Sequence, residues 1–423
     1  MTAIVPCAGE VEPACQPTIP AGLPLVFGST DRLLRGHTSD RTWWSPRSDD
    51  TEYADRILAD LRTGDRAARD GSPAVAVGTL SFRPDAPALF SPLLHGESSH
   101  SDLLPSGSTH SNLLPSGSTR LPTRTTPVQL RSVTEVPDRR GYLGNVSAAV
   151  TRLRTGEHAA KVVLGRWLEL ETASPLDPLQ VLGSLAETSR GAVRLFAVPA
   201  PAVVDAGAEP AILLGASPEL LVSRRGRLVR SNPMAGSVPR SSDPTTDALR
   251  ARALLDSVKD SDEHRYVAEA VAAVLRPLCD GLVVDGPKLI RTDTVWHLST
   301  EIHGRLADRH LELSALHLAQ LLQPTPAVGG TPTDWALQTI AELEGARGCV
   351  TGAVGWVDAT GDGSYAVGIR SGLLTGHTLR LFAGAGIVAA SDPESELIET
   401  EAKLATMLGG LGLSTAAVKG MIR

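Results

Sequence analysis

Cysteine is scarce in this chain. Only Cys7, Cys15, Cys279 and Cys349 occur among 423 residues. They are scattered and form no C-x-x-C pair, which excludes a disulfide-stapled scaffold and a zinc ribbon and leaves reduced, structural thiols. Long apolar runs are missing as well: nothing approaches the roughly 20 residues that cross a bilayer. The N-terminus, MTAIVPCAGEVEP, has neither the basic nor the apolar region of a secretory leader, so a cytoplasmic location with no membrane partner is expected. The sequon Asn145-Val146-Ser147 then has no meaning. Nor is there a block of Lys or Arg; 40 basic against 47 acidic residues leave a net charge of −7. Such a chain has no surface that would release counterions from a phosphate backbone, which argues against nucleic acid as a partner. Neither a P-loop nor an H-E-x-x-H motif occurs.

What is present describes a globular protein, 42% apolar and 21% charged. One low-complexity segment interrupts it: the ten residues from His100 to Thr109 are repeated from His110 to Thr119, with Asp102 replaced by Asn112. Ser, Gly and Pro dominate this stretch, which cannot bury enough apolar surface to offset its ordering entropy. A disordered insert is therefore expected at about 95–127. Around it, 74–90 reads as strand, bend, strand. Residues 139–155 carry Leu143, Val146, Val150 and Leu153 at helical spacing and stop at Gly156. Short β-like runs follow at 161–170, 193–198, 212–222 and 227–230. Two helices are expected over 247–278, broken near Lys259-Asp260-Ser261. Further strands are expected at 289–300 and 350–357, then a hairpin over 364–387 and a last helix over 393–408. Strands in runs, without strict β-α-β alternation, indicate antiparallel sheets carrying helices outside. The expected class is α+β, with an N-terminal segment 1–73, partly ordered, and one large domain over 74–423 containing the insert.

Two motifs are decoys. Gly384-Ala-Gly386-Ile-Val-Ala389 fits the dinucleotide pattern G-x-G-x-x-A, but the required strand and acidic residue do not follow. The stretch from Asp358 to Gly363 resembles a calcium loop, but Ile369 stands where its bidentate Glu belongs.

Other residues can carry chemistry. The final helix places Glu396, Glu399 and Lys403 at i, i+3 and i+7, within about 60° on one face. Such a face is either solvated and ion-paired or a magnesium site, since Mg²⁺ takes one or two carboxylates plus water and an anionic ligand. If 364–374 is one strand, Arg370 shares a face with Ala366 and Gly368. With a turn near Gly376, Gly384 and Gly386 would lie opposite Gly368 and Ala366 and leave a hollow with one guanidinium at its edge. That hollow suits a small carboxylic acid, although glycines also serve merely to let strands pack closely. Lys161 shares a strand face with Val163 and Gly165. Burial there would lower its pKa toward that of a general base, as burial of Glu219 beside Leu-Leu-Val would raise its pKa toward that of a general acid. Edge-strand solvation is the alternative for both.

Taken together, these stretches resemble the chorismate-utilising enzymes, and among them the isochorismate synthases of siderophore and menaquinone pathways. The resemblance rests on Lys161-Val-Val-Leu, Gly215-Ala-Ser-Pro-Glu-Leu-Leu, Met234-Ala-Gly-Ser237, Lys259-Asp-Ser-Asp-Glu-His264, Val295-Trp-His-Leu, Pro324-Thr-Pro-Ala327, Gly352-Ala-Val-Gly-Trp356, Val367-Gly-Ile-Arg370, Leu381-Phe-Ala-Gly-Ala-Gly-Ile387 and Glu399-Thr-Glu-Ala-Lys403. It covers 139–412 strongly and 74–90 weakly. It implies two large antiparallel sheets with helices outside, chorismate as substrate and Mg²⁺ held by Glu263 and Glu399 with Glu396 close by. It also implies that Arg370, Lys403 and the Gly384-Ala385-Gly386 backbone hold a carboxylate, while Gly236, Ser237, His297 and Ala327 line the ring site. By the same resemblance Lys161 activates water for attack at C2 and Glu219 protonates the departing C4 hydroxyl. Ammonia-using members generally carry Gln in place of Lys161, so no glutaminase subunit is implied, and a monomer is expected. Salicylate synthases share these groups and then eliminate pyruvate, which remains an alternative, as does a catalytically silent chorismate-binding protein. At Val350 relatives carry Phe or Tyr against the substrate, so a looser pocket is expected there.

Overall fold

The computed structural model describes residues 19–29, 32–38, 42–63, 74–95, 121–156, 159–189, 193–200 and 210–422. The repeat at 100–119 lies outside them, as do Cys7 and Cys15. The chain is described again from residue 121, where Leu121 is buried and the Pro122 carbonyl lies where a Cβ on Gly183 would stand.

Among the described residues two ten-stranded sheets form, and every pairing within them is antiparallel. The first runs Gly330–Thr331, Lys161–Thr172, Thr378–Ile387, Ser371–Thr375, Ile212–Ser217, Arg194–Pro199, Pro24–Ser29, Arg32–His37 and Leu94–His95, with Leu130–Val136 also paired to Lys161–Thr172. The second runs Met234–Pro239, Val295–Leu306, Leu228–Asn232, Leu220–Arg225, Gly363–Val367, Ala353–Asp358, Val75–Leu80, Ala88–Pro92 and Trp43–Ser45, with Cys279–Arg291 beside Val295–Leu306. Trp167, Phe196, Leu213 and Phe382 of the first sheet meet Val77, Val354, Trp356 and Ala366 of the second in an apolar layer between them. The helices cover the outer faces. Val181, Leu185, Leu404 and Met407 close one face of the first sheet; Tyr142, Val146 and Val150 pack against Val162, Leu164, Ala385 and Ile387 on another part of it. The α+β class with two antiparallel sheets and external helices is as the sequence indicates.

Local chemistry sets the ends of the helices that matter here. Asp138 accepts from Gly141 N–H at the start of Arg139–Thr155, which ends at Gly156 as expected. Asp392 accepts from Ser395 N–H, with Pro393 at the first helical position of Pro393–Gly410. The break in the 247–278 region falls at Ser257 rather than at 259–261, because the Ser257 side chain accepts from Asp260 N–H and starts a new helix, Val258–Leu275.

Three further expectations need correction. The 212–222 run is two strands, Ile212–Ser217 in the first sheet and Leu220–Arg225 in the second, because the chain crosses between sheets at Pro218-Glu219. The 289–300 region is not one strand but the ends of two, Cys279–Arg291 and Val295–Leu306, joined by a tight turn. More consequential, 364–374 is not one strand. The chain leaves the second sheet after Val367 and enters the first at Ser371, and Arg370 takes φ +49° to make the crossing. Alternation cannot be carried across such a crossing, so the expected shared face of Ala366, Gly368 and Arg370 does not exist. The hairpin turn does centre on Gly376, with φ +52°, but Gly384 and Gly386 are paired with Gly165 and Val163 of the neighbouring strand.

Candidate active site

The functional side chains converge where the two sheets exchange strands. The chain crosses between sheets at Pro218-Glu219 and again at Gly368-Ile369-Arg370, and the Val367 N–H donates to the Glu219 carbonyl at 3.2 Å to tie the crossings together. A cavity opens beside them, enclosing about 670 Å³ of space not filled by protein, part of it continuous with solvent. Glu219, Gly236, Ser237, Glu263, His297, Ala327, Arg370, Gly384, Gly386, Glu399 and Lys403 all line it. Lys161 stands directly behind Gly386, fully buried, so that a Cβ on Gly386 would lie 2.9 Å from Lys161 Cε and 2.2 Å from Glu263 Oε1. The glycine therefore leaves room for a lysine and a carboxylate that any side chain would displace.

Of the residues expected at the site, Ala385 points elsewhere. Its side chain faces the external helices with Val162 and Ile387, as strand alternation requires when Gly384 and Gly386 face the cavity. Glu396 does not line the cavity; it is buried one turn before Glu399. Val350 does not line it either. It sits in the layer between the sheets with Phe382 and Trp356, and the aromatic wall of the cavity is Phe382, whose ring occupies the space over Gly165. Thr351, Ile369, Met234 and Val163 are among the further lining residues, none of them expected at the site. Ile369, Met234 and Val163 lie inside motifs quoted above and Thr351 beside one, but nothing in their type marks them as wall residues.

Three lysine–carboxylate pairs lie at or behind the cavity, two of them buried or nearly so and the third with its lysine 35% exposed. Lys161 Nζ lies 2.9 Å from Glu263 Oε1, with the lysine side chain fully buried. Lys259 Nζ donates to Glu396 Oε1 at 2.8 Å. Lys403 Nζ lies 2.6 Å from Glu399 Oε1 and donates to the Gly384 carbonyl at 2.8 Å. Ser237 Oγ also donates to Glu399 Oε1, at 2.8 Å. Burial alone would push the Glu399 carboxyl up, but the Lys403 charge and the hydrogen bonds from Lys403 and Ser237 outweigh it and hold the group below the usual carboxylate range. Glu396 ends above that range, raised by burial and by the neighbouring Glu399 charge. Asp260 is likewise raised, first by burial.

Glu219 is the most telling group. It is buried, its Oε1 accepts only a long hydrogen bond of 3.4 Å from Met234 N–H, and burial raises it to about 7 against the opposing pull of Lys161, Arg370 and Lys403. Arg370 is lowered by burial to about 10 and so stays cationic at neutral pH. Its Nη2 lies 3.3 Å from His297 Nε2. Burial, with the nearby Arg370 and Lys403 charges, holds His297 well below its ordinary pKa, so the imidazole is neutral and can accept. Among the described residues Arg370 Nε is buried with no hydrogen-bond partner, as is the Thr351 hydroxyl. Arg370 and Thr351 are both non-glycine residues with positive φ, +49° and +62°. Left-handed backbone at a non-glycine residue costs of order 1 kcal/mol or more and collects where a site needs it.

The cavity thus offers a guanidinium with an unfilled N–H, Arg370, and a carboxyl poised to give up a proton near neutrality, Glu219, with Lys161 standing behind Gly386 against Glu263. An anionic ligand would satisfy the Arg370 N–H. Hard oxygen donors are present for a divalent cation in Glu263, Glu396 and Glu399. Among the described residues no three His, Cys, Asp or Glu side chains converge in a ready-made cluster, and each of these carboxylates is paired with a lysine. Magnesium asks for only one or two protein carboxylates and completes its shell with water and an anionic ligand, so the donor set fits it.

A family model described as chorismate binding enzyme matches residues 93–412. The chain is 47% identical over 284 residues to isochorismate synthase DhbC of Bacillus subtilis, covering 66% of this chain and 70% of that one. It is 39% identical over 293 residues to isochorismate synthase EntC of Escherichia coli K12, covering 69% and 72%. Among solved structures, a putative 2,3-dihydroxybenzoate-specific isochorismate synthase, DhbC, from Bacillus anthracis superimposes with a TM-score of 0.79 at 37% identity, over 93% of this chain and 96% of that one. Anthranilate synthase component I from Streptococcus pneumoniae shares the fold, with a TM-score of 0.62 at 21% identity over 95% of both chains.

Proposed function

The chain belongs to the chorismate-binding enzymes, and from that premise we propose that the buried cavity converts chorismate to isochorismate with Lys161 as general base and Glu219 as general acid. The enzyme is an isochorismate synthase, an isomerase, serving siderophore and dihydroxybenzoate or menaquinone biosynthesis. The observation that carries the mechanism is the presence at one cavity of a fully buried lysine, held 2.9 Å from Glu263 behind Gly386, and of a carboxyl raised to about 7.

The residues divide the work by charge. Arg370, with its unfilled Nε–H, and Lys403, beside the Gly384 carbonyl, hold the enolpyruvyl carboxylate of the substrate. Gly236, Ser237, His297 and Ala327 border its ring. The family is generally magnesium-dependent; Glu263 and Glu399, with Glu396 close by, would hold the ion, which when bound neutralises the charge of the ring carboxylate. Lys161 Nζ takes a proton from a water molecule as its oxygen bonds to C2. Glu263, 2.9 Å away, balances the ammonium so formed. The ring double bonds shift and the C4–O bond breaks, and Glu219 gives its proton to the departing hydroxyl, which leaves as water. One water enters and one leaves, so the reaction is a net isomerisation. Proton return from Lys161 to Glu219 through solvent resets the site.

The test is Lys161→Ala. Turnover should vanish while chorismate still binds by calorimetry, because the carboxylate contacts lie on Arg370 and Lys403; unchanged turnover would remove the general-base assignment.

A further inference from the structure

One edge of the strand that carries Lys161 is incomplete. Thr378–Ile387 pairs with it continuously on one side. On the other side Gly330–Thr331 reaches only Lys161 and Val162, and Leu130–Val136 begins at Trp167. Between them, Val163 N–H donates to the Gly329 carbonyl at 2.7 Å. The Val163 carbonyl and the Gly165 N–H have no strand to meet, and buried backbone groups left unpaired are costly.

Two side chains supply the missing neighbour. Arg347 Nη2 donates to the Val163 carbonyl at 2.9 Å, and Glu344 Oε2 accepts from Gly165 N–H at 2.7 Å. The two are locked to each other by a forked pair of hydrogen bonds, Nε to Oε1 at 2.6 Å and Nη2 to Oε2 at 2.7 Å, with side chains 0% and 2% exposed. Arg347 Nη1 goes on to the Val328 carbonyl at 2.7 Å, next to Ala327. The guanidinium carbon lies 4.5 Å from the Phe82 ring centroid and 5.1 Å from that of Phe382. One buried ion pair therefore fixes three parts of the cavity: the strand two residues beyond Lys161, the Ala327-Val328 segment and the Phe382 wall. Neither member lines the cavity.

We propose that Glu344 and Arg347 are positioning residues for the reaction, acting as a surrogate strand residue that sets the place of Lys161 relative to the ring-facing wall. This inference rests on Lys161 being the base. Only an arginine meets the requirement, since a lysine could keep the charge but not the fork that reaches Glu344, Val163 and Val328 together. Displacements of about 1 Å in a supporting shell can cost about 10²-fold in rate.

The test compares Arg347→Lys and Glu344→Gln with the wild type by steady-state kinetics, chorismate titration in a calorimeter and thermal melting. For Arg347→Lys a fall in kcat of about 10²-fold is expected, with chorismate affinity changed less than about fivefold, because Arg370 and Lys403 are untouched. Glu344→Gln, which keeps an acceptor for Gly165 N–H, should lose about tenfold in kcat. A folded Arg347→Lys enzyme with a lowered melting temperature and wild-type kcat would overturn the proposal, leaving the pair a merely structural one. Should that variant fail to fold, wild-type kcat in Glu344→Gln would overturn it equally. Turnover surviving in Lys161→Ala would instead refute the base on which the inference rests, so the two failures are distinguishable.

Discussion

Glu219→Gln should make the protein more stable as it destroys activity, and by an amount that depends on pH. Glutamine is nearly isosteric and keeps an oxygen for Met234 N–H. Burial raises the folded-state carboxyl to about 7, against 4.5 for a glutamate in water. Between those values the native protein holds a proton that the unfolded chain has released, so stability falls as pH rises from 4.5 to 7. The penalty is absent below the lower value and complete above the higher one. A shift of 2.5 units corresponds to about 3 kcal/mol at full extent, an order-of-magnitude figure for a fully buried group. Glutamine never ionises and escapes the penalty. Urea denaturation of both proteins at pH 5 and pH 8 should therefore show the variant's advantage growing by about 2–3 kcal/mol between them. In parallel, wild-type kcat/KM should decline above about pH 7 as the general acid loses its proton. A stability difference that is flat with pH would refute the reasoning, because it would mean Glu219 is ionised in the folded protein as readily as in water.

Other perturbations reach the site from different sides. Gly386→Ala places a Cβ 2.2 Å from Glu263 Oε1 and 2.9 Å from Lys161 Cε; kcat/KM should drop by more than about 10²-fold with a melting temperature near that of the wild type, since the strand itself tolerates alanine. Arg370→Gln removes a buried cation that faces the substrate carboxylate, and chorismate affinity measured by titration should weaken by about 10²-fold, equivalent to about 3 kcal/mol. Wild-type affinity in that variant would move the carboxylate site elsewhere.

Much of this was legible in the sequence because its signals are local. Glu396, Glu399 and Lys403 were placed on one helical face by spacing, and the Lys403–Glu399 pair follows from that geometry. Lys161 and Glu219 were singled out as ionisable groups on apolar strands, and both are buried. What spacing could not resolve was whether such groups are solvated or enclosed, since enclosure comes from elements far along the chain. Arg370 shows the limit most clearly. Its place at the cavity follows from a crossing between sheets at Gly368-Ile369-Arg370, and a period-two reading passes straight through such a crossing. Glu344 and Arg347 were missed for a related reason: a Glu and an Arg three apart look like an exposed helix-end pair. Only the gap beside Val163 and Gly165, left by two short strands brought from residues 130–136 and 330–331, turns them inward. Ala385 was included with its flanking glycines by motif, and strand alternation sends its side chain to the opposite face.

The central claim is that Lys161 directs an external water to C2 while Glu219 expels the C4 hydroxyl. Running the wild-type reaction in ¹⁸O-enriched water and locating the label in the product by mass spectrometry and NMR tests it most directly. The account predicts isochorismate carrying solvent oxygen at C2, with the original C4 oxygen lost to water. Product that retains the substrate's own hydroxyl oxygen would contradict it, because no water would then have been activated.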